Sequence, residues 1–246
     1  MFFVIIILVI CLLVINYSKF EYPHTHFLNE LEIYNFILAD NDDYFKHLSN
    51  ADLCARSCKT VEEYKLRVLN NLYIPNKTNQ NYILKKIHKA YNLLSKENYY
   101  IDPYKLSKLK FNIVFVYDDI LENSFPHTRD NIIFLSTNEF SNKDIIETLI
   151  HEMIHIYQRY YPADMQYYLD DNNYIFVRYN NKNDNVRANP DIDNKLYRLN
   201  GRLLIAQYNS NQPNDINDCT NNEFEHPNEI MAYDISKKLV KLLFKD

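Results

Sequence analysis

The sequence predicts an α+β fold, mostly helical, with a small sheet beside one long helix and an apolar segment at the amino terminus. Three observations carry this reading. Residues 80–95 and 144–161 repeat apolar side chains at helical spacing. Residues 110–117 and 131–136 are short runs of Ile, Val and Phe, as buried strands require. A length of 246 residues with 47 % hydrophobic and 15 % aromatic content suits one packed domain, alone or with a small lobe.

Composition removes several function classes. The one glycine, Gly201, leaves no glycine-rich phosphate loop and no dinucleotide fingerprint. A net charge of −5 offers nothing to a nucleic-acid backbone, so no nucleic-acid partner is expected. The chain holds 22 Tyr, 14 Phe, 33 Asn and no Trp, the bias an AT-rich coding sequence produces. Long Asn-rich stretches are therefore expected as loops.

Residues 1–15, MFFVIIILVICLLVI, contain no polar side chain. As a helix they reach about 23 Å, short of the roughly 30 Å hydrocarbon core, and extension to Tyr17 or Phe20 brings them close. No basic residue precedes the run and no small-residue cleavage site follows it. Residues 1–18 are thus expected to be an uncleaved single-pass membrane anchor before a soluble domain over 25–246. A signal segment, making the protein secreted or lumenal, is the alternative. Lys19 and Glu21 leave orientation open. Cys54, Cys58 and Cys219 are odd in number, and a bridge from Cys219 to Cys54 or Cys58 would suit an extracytosolic domain.

Helical spacing in 27–38, 61–74 and 80–95 predicts a helical lobe over 25–100, and the remainder, 104–246, holds the strands. KFNIVFVY (110–117) and NIIFLS (131–136) are the first two of these strands. Ser141 with Asp144 resembles a capping box, opening a helix that stops at or before Pro162. Residues 170–197 read as loop around one short apolar run, 201–208 as a strand and 209–226 as loop. A last helix runs from Pro227 to about Phe244, with proline at the favourable first position.

His151-Glu152-Met153-Ile154-His155 is the sharp motif. On a helix, residues four apart stand one above the other, so both imidazoles can address one metal ion. Glu152, about 100° around the axis, can reach a water from the side as general base. Zn2+ suits this set because neutral imidazole is a good borderline ligand. Random placement would produce such a match in roughly one chain of seventy. A third ligand is needed. Tyr161 stands where the metzincin pattern has its third histidine, which excludes that class. EHPNEIMAY (225–233) offers Glu229 at the start of the final helix, with Ala232 allowing close helix approach. Glu223 and Glu225, in the preceding loop, are fallback ligands. His226 is a further candidate, as ligand or as donor to a developing oxyanion.

ETLIHEMIHIYQ and HPNEIMAY resemble the gluzincin branch of the HExxH zinc metallopeptidases, the zincins, over some twenty residues. The resemblance implies His151, His155 and Glu229 as zinc ligands and Glu152 as general base. It implies a zincin-like fold in which an edge strand, a position NIIFLS fits, binds extended peptide. An acid four residues after the third ligand is common in some gluzincins, and Tyr233 stands there instead, followed by Asp234. The composition also resembles that of proteins from large DNA viruses. The implied function is a zinc-dependent metallopeptidase acting on a peptide or protein substrate through a zinc-activated water. Tyr233, His226, Tyr208 and Arg187 are the candidates for oxyanion stabilisation. RANPDID (187–193) is a further candidate to line the cleft. The competing reading is a catalytically inactive, membrane-tethered structural or interaction protein that retains the metallopeptidase fold.

Overall fold

A computed structural model describes residues 23–118, 120–180, 185–220 and 225–244. The expected anchor, 1–18, lies outside these residues. Among the described residues no helix is long and apolar enough to cross a membrane.

The described residues open with strand β1 (His24–Phe27) and helices α1 (Glu30–Ala39), α2 (Tyr44–His47), α3 (Asn50–Ala55) and α4 (Val61–Leu69). Strand β2 (Leu72–Tyr73), the long helix α5 (Lys77–Leu94), α6 (Pro103–Leu106) and β3 (Lys110–Val116) follow. Next come β4 (His127–Arg129), β5 (Ile132–Ser136), α7 (Ile145–Tyr160) and α8 (Pro162–Asp171). The last part holds β6 (Ile175–Tyr179), β7 (Lys195–Leu199), β8 (Arg202–Leu204), β9 (Gln207–Tyr208), β10 (Cys219–Thr220) and α9 (Pro227–Val240). The fold is α+β, as expected.

The main sheet has the order β1-β3-β5-β4, with β2 also pairing with β3. β1, β3 and β5 are parallel, and β2 and β4 are antiparallel to their neighbours. Alternation along β3 explains its unbroken apolar run. Phe111, Ile113 and Phe115 face a core shared with α5, α7 and α9, whereas Val114 and Val116 face a second core under α1, α2 and α4. Each such side chain, fully buried, contributes about 1.5–3 kcal/mol.

Several boundaries differ from the sequence reading. Residues 25–100 are not a helical lobe, because β1 and β2 belong to the main sheet and α5 packs across from α1–α4. The segment 61–74 stops being helical at Leu69, since Leu72 and Tyr73 pair with Val116 and Phe115. The Asn-rich stretch 170–197 contributes β6 and most of the loop to β7, with β7 itself starting at Lys195. Residues 201–208 divide between two sheets, β8 pairing with β7 and β9 with β10. Asn200 (φ 48°) and Gly201 (φ 81°) make the tight β7–β8 turn, for which Asn-Gly is the favoured pair. Ser141 does not cap α7; its hydroxyl donates to the Asn138 carbonyl, and Asp144 occupies the cap position without a side-chain bond. No disulfide joins Cys54, Cys58 and Cys219.

Candidate metal centre

α7 lies at the centre of the molecule, with eleven of its sixteen residues buried. Ile146, Leu149, Ile150, Met153 and Ile154 fix it in the main core. α9 shares that core through Met231, Ala232 and Ile235, and Ala232 is fully buried. The packing brings the first turn of α9 against the middle of α7.

There His151, His155 and Glu229 come together. The two Nε2 atoms are 2.9 Å apart, and Glu229 Oε2 lies 3.2 Å from His151 Nε2 and 3.7 Å from His155 Nε2. Tetrahedral zinc with bonds of about 2.0–2.2 Å sets its donor atoms roughly 3.2–3.6 Å apart. The observed spacings bracket that range. His155 is fully buried, Glu229 nearly so, and His151 keeps a solvent-facing edge.

Neighbouring groups orient these donors. Gln158 Nε2 donates to the Asn228 carbonyl at 3.0 Å, which turns its Oε1 toward His155 Nδ1, also at 3.0 Å. An amide oxygen only accepts, so Nδ1 carries the proton and the neutral ring presents its Nε2 lone pair to the cluster. Asn189 Nδ2 donates to Glu229 Oε1 at 2.8 Å and to Glu225 Oε1 at 2.7 Å, leaving Glu229 Oε2 for the imidazoles. Arg187 pairs with Glu225 at 2.5 Å. Burial alone would raise the Glu229 carboxyl, but the adjacent His155 and His151 outweigh it and hold the group well below the usual carboxylate range. Its place in the first turn of α9 also favours the charged form. For His155 the balance is mirrored: burial lowers its pKa, and Glu229 and Asp191 raise it beyond that loss.

Glu152 is 2 % exposed and its Oε2 has no hydrogen-bond partner. Burial, with repulsion from Asp191 and Glu229, pushes its carboxyl well above the ordinary value. Glu152 lines a cavity of about 310 Å3 together with His151, Glu229 and Tyr233. A desolvated carboxylate oxygen left unpaired costs free energy unless something in that cavity uses it. The Tyr233 ring stands 4.5 Å from that of His151, and burial pushes its hydroxyl up to about 12. Two nitrogens and one carboxylate oxygen, beside an orphaned buried acid on an open cavity, form a donor set that fits zinc.

Other sequence candidates are placed elsewhere. His226 is outside the cluster: it caps α9, its Nδ1 accepting from the Asn228 amide at 3.1 Å while Nε2 faces Asp193 at 3.3 Å. Neither ring nitrogen joins the three donors. Tyr208 is buried with its hydroxyl on Asp52 and Arg56. Arg187 reaches the cavity wall but is held by Glu225. Glu225 holds Arg187 and Asn189 instead of joining the three donors, and Glu223 lies outside the described residues. From 187–193, Arg187, Asn189 and Asp191 do line the cavity.

The expected edge strand also needs correcting. β5 is covered by β4 along Ile132–Phe134, so β4 is the sheet edge. At its centre Thr128 already spends its outward groups, its amide donating to Asp191 Oδ1 and its carbonyl accepting from Arg159. Phe125 and Pro126, just before β4, and His127, its first residue, line the cavity. His127, which sequence reasoning passed over, donates from Nδ1 to the Phe125 carbonyl and leaves a buried Nε2 without a partner.

Comparison with family models, curated protein sequences and solved structures gives no match to this chain.

Proposed function

We propose that this protein is a zinc-dependent metallopeptidase of gluzincin-like type, with His151, His155 and Glu229 holding the metal and Glu152 acting as general base. The observation that carries the reading is the meeting of three donor atoms within 4.8 Å of one another beside Glu152, whose Oε2 has no hydrogen-bond partner. Zinc bound there supplies a Lewis acid, which lowers the pKa of a water and polarises the scissile carbonyl.

The chain's own residues do the rest. Glu152, on the cavity lining and with its proton affinity raised, takes the proton of the attacking water and returns it to the leaving amine. Tyr233, on the cavity wall next to His151, is placed to donate toward a developing oxyanion. Gln158 fixes the His155 tautomer, and Asn189 fixes the Glu229 rotamer. Because the Thr128 edge is taken, substrate backbone would bind along Phe125–His127.

Metal analysis of the purified protein tests the reading. The expected result is about one zinc per chain, lost in His155→Ala, with peptide hydrolysis that chelation abolishes. A chain that binds no zinc at neutral pH overturns it and favours the tethered, inactive alternative. A second expectation concerns tautomer control: Gln158→Leu should weaken zinc affinity about 10–100-fold, read by competition with a chelator. An unchanged affinity would remove Gln158 from the site.

A further inference from the structure

The cavity beside the metal cluster carries negative charge that the protein itself does not neutralise. Seven of its lining residues are acidic, and among the described residues its one lysine or arginine is Arg187. Most of these acids are engaged. Glu122 is paired with Arg56, Glu225 with Arg187 and Glu229 with the two histidines, while Asp191 accepts from Thr128. Glu152 is the proposed base. Asp144 and Glu147 are left. Neither side chain makes an ion pair or hydrogen bond among the described residues, the neighbouring Lys143 included. Asp144 is exposed and Glu147 half-buried.

Helix geometry sets these two acids in line with the metal cluster. Residues three and four apart share a helix face, so Asp144, Glu147 and His151 form one row along the cavity. At 1.5 Å per residue, Glu147 stands about 6 Å and Asp144 about 10 Å before His151 along the axis. An extended peptide advances about 3.4 Å per residue, so the row lies roughly two to three substrate residues from the metal cluster. A second metal ion is not the partner, because His151, His155 and Glu229 are the only donor group of that kind among the described residues. The cavity wall also holds Phe125, 51 % exposed. An exposed ring in a cavity with unpaired carboxylates suits a long side chain with an apolar stem and a cationic head. A neutral side chain would leave the acids unpaired, and an acidic one would add repulsion. We infer that the cavity selects peptides bearing arginine or lysine within about three residues of the scissile bond, with Asp144 and Glu147 setting the preference. This names the substrate class of the proposed metallopeptidase and rests on that reading.

Binding measured without turnover tests it. Full-length Glu152→Gln protein is titrated into dye-labelled alanine hexapeptides that carry arginine, or its neutral isostere citrulline, at each position in turn, and fluorescence anisotropy is read. At the favoured positions and low salt, arginine peptides should bind about tenfold more tightly than their citrulline partners, and high salt should shrink the ratio. Asp144→Asn combined with Glu147→Gln should bring the two affinities within about twofold of each other. Glu147→Lys, a second route to the same loss, should favour citrulline. Cleavage of the same peptides by the unaltered protein should show the preference in kcat/KM. Equal affinity for both peptide sets, no binding of either, or a preference that survives the double substitution overturns the inference. A protein that selects arginine peptides yet neither holds zinc nor cleaves them overturns the metallopeptidase reading instead and leaves the cationic-peptide site standing.

Discussion

Glu152→Gln should bind zinc as the unaltered protein does and lose hydrolysis by at least about 100-fold, the usual scale for a general base. The carboxylate is no donor in the proposed metal cluster, which consists of His151, His155 and Glu229. Its Oε2 has no partner within the protein, so the amide replacement breaks no hydrogen bond at that atom. The size is kept, and the buried position loses an acid whose charged form burial already disfavours, so folding stability should hold or rise slightly. What the amide cannot do is accept a proton at neutral pH. The loss should therefore fall on kcat, with KM little changed. Zinc content and peptide turnover, measured on one preparation, check this. Turnover near the unaltered rate would remove Glu152 as the base, whereas loss of zinc would show that it supports the metal site.

The parts of the site that follow from helix geometry were legible in the sequence. His151 and His155 are four apart on a strongly periodic segment, and Pro227 with Asn228 marks the start of the helix bearing Glu229. Gln158 stands three residues beyond His155, so its proximity was implicit. Its role was not, because that depends on the Asn228 carbonyl seventy residues away. Asn189 was marked only within RANPDID, as a stretch to line the cleft, and its bond to Glu229 had no local signal. It acts only because the loop before β7 is pinned beside α9, Ala188 bonding to Asp52 and Arg56, and Asp191 to Thr128.

Strands were harder to read than helices for a related reason. β1, His-Thr-His-Phe, has three polar residues out of four, so its membership of the sheet is decided by the pairing with β3. β6 is mostly apolar yet exposed at all five positions, so burial pattern gives no guide to it. Asn200-Gly201 was a readable hairpin signal, diluted by the surrounding asparagines. In the helices, apolar residues meet a core at regular intervals, and α7 shows that regularity over its whole length.

Glu122→Ala should lower folding stability by about 3–5 kcal/mol, the scale for breaking a buried ion pair by removing one partner. Arg56 donates to both Glu122 oxygens, at 2.9 and 2.6 Å, and the hydroxyls of Tyr44 and Tyr64 donate to Oε1 at 2.6 and 2.7 Å. Arg56 is 4 % exposed, so the substitution leaves a buried guanidinium with one carboxylate fewer, Asp52 at 3.6 Å. The same anchor holds Glu122, Asn123 and Ser124 in the left-handed region, at φ of 47°, 50° and 66°. Each such non-glycine residue costs roughly 1–2 kcal/mol, and without the anchor the turn should relax. Burial alone would raise the Glu122 carboxyl, but the Arg56 charge and hydrogen bonds outweigh it and hold the group at about 2. A carboxyl lowered on folding adds stability above its unfolded pKa, near 4.5, and loses it as pH falls toward 2. The contribution is roughly 3 kcal/mol. Urea unfolding of the unaltered protein should accordingly weaken between about pH 4.5 and 2, and the Glu122→Ala protein should show a shallower dependence there. Equal pH dependence in the two proteins, or a loss below about 1 kcal/mol, would show that the Arg56–Glu122 pair does not anchor this turn.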